Sequence, residues 1–179
     1  MCPHALRMMH TPLVFVGVLF NCLMAMPMSN TSLLPEGRYA IKRAKSEFLT
    51  DTGGKPHDPA VLDGFHNDTR FYHQWLITNN ADDGTVNIRS AELPVFLSVN
   101  QTWPGNNAQV QMASERQRWQ LVAGKEAGQY FIQLPRGEMD AVYVVDVSDE
   151  AIRKPNIVLR HKSTEDEHQT WDLHAVIRP

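Results

Sequence analysis

Three short phrases recur in phase along this chain, and they limit its fold more than its composition does. GRYAI begins at Gly37, GTVNI at Gly84 and GQYFI at Gly128, 47 and 44 residues apart. In each, a glycine leads alternating polar and apolar residues, the pattern of a turn feeding a half-buried strand. A second marker closes each stretch. Trp75 lies in HQWLI, Trp119 in RQRWQLV and Trp171 in HQTWDL, 44 and 52 residues apart. Two independent markers in phase define three units, about 34–80, 81–124 and 125–176.

Between its markers each unit holds two further strand candidates. The first set is EFLT (47–50), VFLSV (95–99) and VYVVDV (142–147), and the second is PAVLD (59–63), AQVQM (108–112) and NIVLR (156–160). Turn-rich segments separate them: DTGGKPHD, NQTWPGNN and SDEAIRKP. That makes four strands per unit and no convincing helical spacing after Pro35. One four-stranded unit cannot bury its apolar face alone, whereas three can share a core and remove each other's exposed edges. Three blades are too few for a propeller, which needs at least four. The pattern therefore predicts an all-β fold, a β-trefoil of three four-stranded units over 34–179.

The three closing tryptophans are expected in the core, since a residue repeated at one place in every unit is explained by threefold packing. Each can bury about 150–250 Å². Gln117 and Gln169 precede their Trp by two residues and so share its face of a strand. A buried amide there must be hydrogen-bonded. His73 stands in that place in the first unit, so one of the three joints differs.

The N-terminal segment is unlike the rest. Arg7, with His4 and His10, precedes an apolar run from Leu13 to Ala25 interrupted by Asn21. Thirteen residues fall short of the ~20 needed to span a bilayer. They fit a secretory signal peptide over 1–25, with Ala25 at the cleavage point and 26–33 as a linker. Both cysteines, Cys2 and Cys22, lie inside it, so the mature chain is expected to carry no disulfide and no thiolate. Asn30, Asn67 and Asn100 each open an Asn-x-Ser/Thr sequon, in keeping with a secreted, extracellular glycoprotein.

Several function classes drop out. A net charge of −3 with scattered Lys and Arg gives no electrostatic footprint for nucleic acid. His57, His66 and His73 cluster with Asp58, Asp63 and Asp68, but spacings of 9 and 7 fit no helical zinc pair. No metal, no cofactor and no catalytic residue is expected, and no later stretch would cross a membrane.

The Gly-x-Tyr openings, Leu/Val-rich hairpins and closing Gln-x-Trp phrases resemble the ricin B-type β-trefoil lectins, especially small secreted fungal members. The resemblance covers about 34–175 and is most specific in the third unit, VVDVSDEAIRKPNIVLRHKSTEDEHQTW. It implies a carbohydrate-binding, non-catalytic protein. In that family an Asp accepts hydrogen bonds from sugar hydroxyls, an aromatic stacks on the sugar, and an Asn adds a polar contact. Asp146 matches the first, Arg160 stands in the aromatic's place, and His168 replaces the Asn. Thr50 and Ser98 stand where the Asp would be in the other units. The alternative for Asp146 is an ion pair with Arg160 or Lys162. Trp103, in VNQTWPGNN, has no threefold counterpart and sits sixteen residues before Trp119. Fungal trefoil lectins that read fucosylated chitobiose cores look similar there, although Arg116 and Gln117 replace their neighbouring contacts. Trp103 is thus either a sugar-stacking residue, beside a sequon glycan on Asn100 that would mask it, or a cap on the barrel end.

The resemblance extends to fungal β-trefoil proteinase inhibitors, which act through protruding loops. Lys55 before Pro56, or Arg153 with Lys154, offers a basic residue to a trypsin-like pocket, and Asn106 offers itself to an Asn-specific cysteine proteinase. The partners expected are therefore glycans or glycoproteins, alternatively a proteinase, with a homodimer as one route to avidity. Expression in a secreting eukaryotic host reads the N-terminal expectations together. After enzymatic N-glycan removal, the mass should be that of residues 26–179, and the treatment itself should lower the mass. A retained N terminus, or no shift on treatment, contradicts them.

Overall fold

The computed structural model describes residues 34–43, 46–64, 73–99, 104–137, 141–149, 154–163 and 169–177. The 1–33 segment and the sequon asparagines Asn30, Asn67 and Asn100 lie outside them. The described residues form twelve strands and no α-helix. The first unit comprises β1 (Gly37–Arg43), β2 (Glu47–Asp51), β3 (Ala60–Asp63) and β4 (Gln74–Asn80). The second comprises β5 (Thr85–Ser90), β6 (Phe96–Val99), β7 (Val110–Ala113) and β8 (Gln120–Ala123). The third comprises β9 (Gln129–Gln133), β10 (Tyr143–Val147), β11 (Ile157–His161) and β12 (Trp171–Ala175). Each expected strand is present. Pro59, which has no N–H to give a ladder, stays outside β3 and makes only an isolated bridge to Gln111.

The outer strands of the units run in a ring. Antiparallel ladders join β1 to β4, β4 to β5, β8 to β9, β9 to β12 and β12 to β1. The ladders leave one seam, between β5 and β8. A single bridge spans it, in which Val86 N–H donates to Trp119 O at 2.7 Å and Trp119 N–H to Val86 O at 2.8 Å. Arg118 and Asp83 pair across the same seam at 2.6 Å. The Thr85 side chain and N–H both donate to Asp83, and with Arg118 they hold its carboxyl below the usual range. Its stabilising effect is present above the ordinary carboxylate range and is lost as acid titrates the lowered group.

The inner strands form three hairpins, β2–β3, β6–β7 and β10–β11. Isolated bridges tie them to one another: Pro59 to Gln111, Val61 to Asn156 and Gln109 to Val158. Leu62 N–H donates to Pro155 O, and Leu159 N–H to Ala108 O, across the same joints. Six strands in a ring and three mutually tied hairpins make a β-trefoil.

The tryptophans fasten hairpin to ring. All three are fully buried. Trp75 Nε1–H donates to Leu49 O, Trp119 Nε1–H to Leu97 O and Trp171 Nε1–H to Val145 O, each at 2.9 Å. The accepting carbonyls occupy one register position in β2, β6 and β10. Leu49, Leu97 and Val145 themselves fill the shared core. Of the three opening glycines, Gly84 and Gly128 take left-handed φ of 68° and 86°, which a side chain would resist.

Replacing Trp119 by Ala should lower stability by about 3–5 kcal/mol, through a large cavity. Trp119→Phe should cost about 1–3 kcal/mol, since it leaves the Leu97 carbonyl without its buried donor. Urea denaturation checks both. Equal, small losses would mean that this joint is not held through Trp119.

Candidate functional site

Of the two sugar-site candidates, Trp103 in the second unit and Asp146 in the third, Asp146 is already engaged. The residue is buried. Arg43, at the end of β1, places Nη1 3.1 Å from Asp146 Oδ1, and Val147 N–H donates to the same oxygen at 2.7 Å. Gln169 Nε2 donates to Oδ2 at 3.3 Å and to His161 O at 3.0 Å, while its Oε1 accepts from Ser163 N–H. The alternative ion pair of Asp146 with Arg160 or Lys162 is not formed. Arg160 lies opposite Val144, two residues away from Asp146 along β10, and pairs with Asp149 instead. Lys162 rests its ammonium 4.0 Å above the Phe131 ring. Burial, and then repulsion by Arg136, holds it below the usual lysine range. His168 lies outside the described residues.

A concavity opens instead on the second unit. It encloses about 360 Å³ on the outer face of the β6–β7 hairpin. Its floor is Ser98 of β6 and its cross-strand partner Gln111 of β7, both buried. Val99, Ala113 and the residues after β7, Ser114 and Glu115, complete that wall. The opposite wall is Pro56 and His57, from the β2–β3 turn of the first unit. Ser98 occupies the register position that Asp146 holds in the third unit, and Ala113 that of Arg160. Short side chains stand at both places, where the third unit carries the longer Asp146 and Arg160.

The 52–58 turn is braced from within and from outside. Asp51 Oδ1 accepts from Gly53 and Gly54 N–H, Lys55 N–H donates to Asp58 Oδ2, and Asp58 N–H to Lys55 O. His57 N–H donates to Met112 O, and Met112 N–H returns a bond to Asp58 O, both at 2.8 Å. Gly54 (φ 70°) lies so close to Leu93 that a Cβ would fall 1.7 Å from its Cδ1. The concavity thus has chemistry of both kinds. Pro56, Val99 and Ala113 give apolar surface, while Ser98, His57 and Glu115 give donors and acceptors.

The three Gln-x-Trp joints are not alike. Gln169 is the buried, fully bonded amide that the sequence implied. Gln117 is only half-buried and donates to Arg118 O at 3.2 Å. The reason lies in its partner, since Ser98 offers no carboxylate where Asp146 receives Gln169. His73 is buried and stacks on Phe48, with ring centroids 4.9 Å apart and planes within 11°.

Two of the loops considered for proteinase inhibition are described. Lys55 is exposed, but its carbonyl closes a turn onto Asp58 N–H. Asn106 directs its Oδ1 to His161 N–H at 3.1 Å, which ties the carboxamide to the third unit. Arg153 and Trp103 lie outside the described residues. Among those described, no group of His, Cys, Asp and Glu could hold a metal ion.

His57 was missed as a site residue. The sequence shows it in a turn, and only the fold sets that turn against β7. Replacing Asp146 by Ala should cost about 3 kcal/mol, because Arg43 is left with a largely desolvated charge and no partner. Changing Arg43 to Met in the same chain should recover part of that loss. Denaturant midpoints for the two single variants and the double variant check it, and additive losses would show the pair to be uncoupled.

No family model matches the chain, and no curated protein matches it in sequence. Solved structures match it in shape. The Rhizoctonia solani agglutinin superposes with a TM-score of 0.66 at 13% identity, over 80% of this chain and 97% of the agglutinin. The Macrolepiota procera ricin B-like lectin, solved with lactose, gives 0.63 at 19% identity, over 80% of this chain and 99% of the lectin. A mosquitocidal holotoxin gives 0.65 at 16% identity over 80% of this chain, which spans only 18% of the toxin's length. The fold of this chain is the β-trefoil found in ricin B-like lectins.

Proposed function

We propose that this chain is a secreted, non-catalytic carbohydrate-binding protein whose site is the concavity on the outer face of β6 and β7. The observation that carries the reading is the lining of that concavity. A pyranose has a polar rim and an apolar face, and the site offers buried Ser98 and Gln111 with Glu115 beside Pro56, Val99 and Ala113. Its volume of about 360 Å³ lies within the range of small-ligand sites. Shape kinship with a lectin solved with lactose supports the same reading. Trp103 belongs to the β6–β7 connection, which leaves β6 at the lining residue Val99, and in this reading its indole stacks on the sugar. Asp146 and Arg160 are assigned a structural part, in the ion pairs with Arg43 and Asp149. For the proteinase alternative, the Lys55 carbonyl and the Asn106 carboxamide are both committed within the fold, which disfavours those two loops, and Arg153 lies outside the described residues.

A shallow site of this kind binds a monosaccharide weakly, with Kd of about 1 mM or ~4 kcal/mol. Useful avidity would come from an extended glycan or from two copies acting together.

The test is a glycan panel probed with the mature, enzymatically deglycosylated protein beside Trp103→Ala and Arg160→Ala variants. Binding that Trp103→Ala abolishes and Arg160→Ala retains is the expected result. The opposite pattern would move the site to the third unit. Absence of binding by folded protein would end the lectin reading, and inhibition of trypsin, papain and legumain would be measured next.

A further inference from the structure

We infer that His57, supplied by the first unit, is a ligand-binding residue of the second unit's concavity and hydrogen-bonds a neutral sugar there. The inference rests on the glycan reading above and adds a residue that the lectin resemblance does not supply.

Three observations converge on it. The first is backbone conformation. Among the described residues only His57 and Asn107 carry a side chain at left-handed φ, 76° for His57. Glycine takes that conformation freely, so a histidine there is held at a cost that the surrounding contacts must meet. The second is immobility. The bonds of His57 N–H and Asp58 O to Met112 of β7, together with the Gly54–Leu93 contact, fix its backbone across the unit boundary. The third is the ring itself. Gln111 is buried, and its Nε2 lies 3.3 Å from His57 Nδ1. This contact holds the ring against the floor of the concavity. A residue on the concavity wall thereby presents an imidazole able to donate and to accept.

The ligand class follows from what else lines the concavity. The Glu115 carboxylate accepts hydrogen bonds only, and the Ser98 hydroxyl does either. An imidazole, a carboxylate and a hydroxyl around one small space fit the hydroxyls of a neutral hexose. A carboxylated or sulfated sugar would meet Glu115 with like charge.

Strain separates a binding role from a structural one. His57→Gly relieves the left-handed backbone while loosening the unfolded chain, and these effects oppose each other. It also removes the ring that Gln111 Nε2 meets, so the variant should melt within about 4 °C of the parent. Asn107→Gly makes the same exchange in the 105–108 turn and serves as the control. Deglycosylated mature protein is titrated calorimetrically with lactose, chitobiose and their sialylated or sulfated counterparts. Expected is a loss of at least tenfold in affinity for His57→Gly with a melting temperature within about 4 °C of the parent, parental binding by Asn107→Gly, and weaker binding of the anionic sugars. Parental binding by His57→Gly would overturn the inference and leave the glycan reading standing. A drop of many degrees in melting temperature together with lost binding would assign His57 to structure and overturn it as well. If the parent binds none of these sugars, both readings fall.

Discussion

Three indole-to-carbonyl hydrogen bonds hold the rest of this structure in place. Each closing tryptophan stands at the start of a ring strand and reaches inward to a hairpin strand, 26, 22 and 26 residues earlier. One side chain thus supplies the largest apolar block of its unit and also satisfies a buried backbone acceptor. Neither function can be lost alone without affecting the other. A cavity loosens the indole, and a loose indole leaves a carbonyl without a partner. The three bonds have the same length and use the same register position, so each hairpin is set against the ring at one depth. The weak seam between β5 and β8 depends on this most. Trp119 forms both the inward bond and the single bridge that joins those strands.

With the backbone so fixed, the outer faces of the hairpins are free to differ, and side-chain volume decides what they become. One register position carries Thr50, Ser98 and Asp146, and another carries Asp63, Ala113 and Arg160. In the third unit the long residues reach partners, Asp146 to Arg43 and Arg160 to Asp149. In the first, Thr50 bonds back to Phe48 O, and Asp63 meets Lys154 at 2.7 Å. In the second, a hydroxymethyl and a methyl group line the concavity and form no ion pair among the described residues. The concavity therefore coincides with short side chains at two symmetric positions.

That division explains what could be read from the sequence. Glycine and tryptophan recur because backbone geometry and core volume are set by the fold, so the units, strands and buried indoles were legible. The partner of Asp146 was not. Arg43 is 103 residues away, and the nearer cations, Arg160 and Lys162, sat closer along the chain without being closer in register. Gln117 looked like Gln169 because the phrase is the same, yet burial of an amide depends on the acceptor opposite, and Ser98 is not Asp146. His57 carried the faintest signal. The string Lys-Pro-His-Asp announces a turn with proline at its second position. It does not say that the third residue will be left-handed, or that the turn will dock on β7.

The bracing of that turn bears on both functions considered for the chain. A proteinase reads a loop through backbone groups that remain available, and here the carbonyl of Lys55 and the N–H of His57 are already used inside the fold. The same bonds that withdraw the backbone fix the Cα of His57, Gln111 meets its ring, and a turn already held in place loses little entropy when a ligand arrives. For a shallow site with few polar groups, that saving is a large share of any affinity it can have. Rigidity contributed from a neighbouring unit is therefore what a shallow concavity on this scaffold requires in order to bind at all.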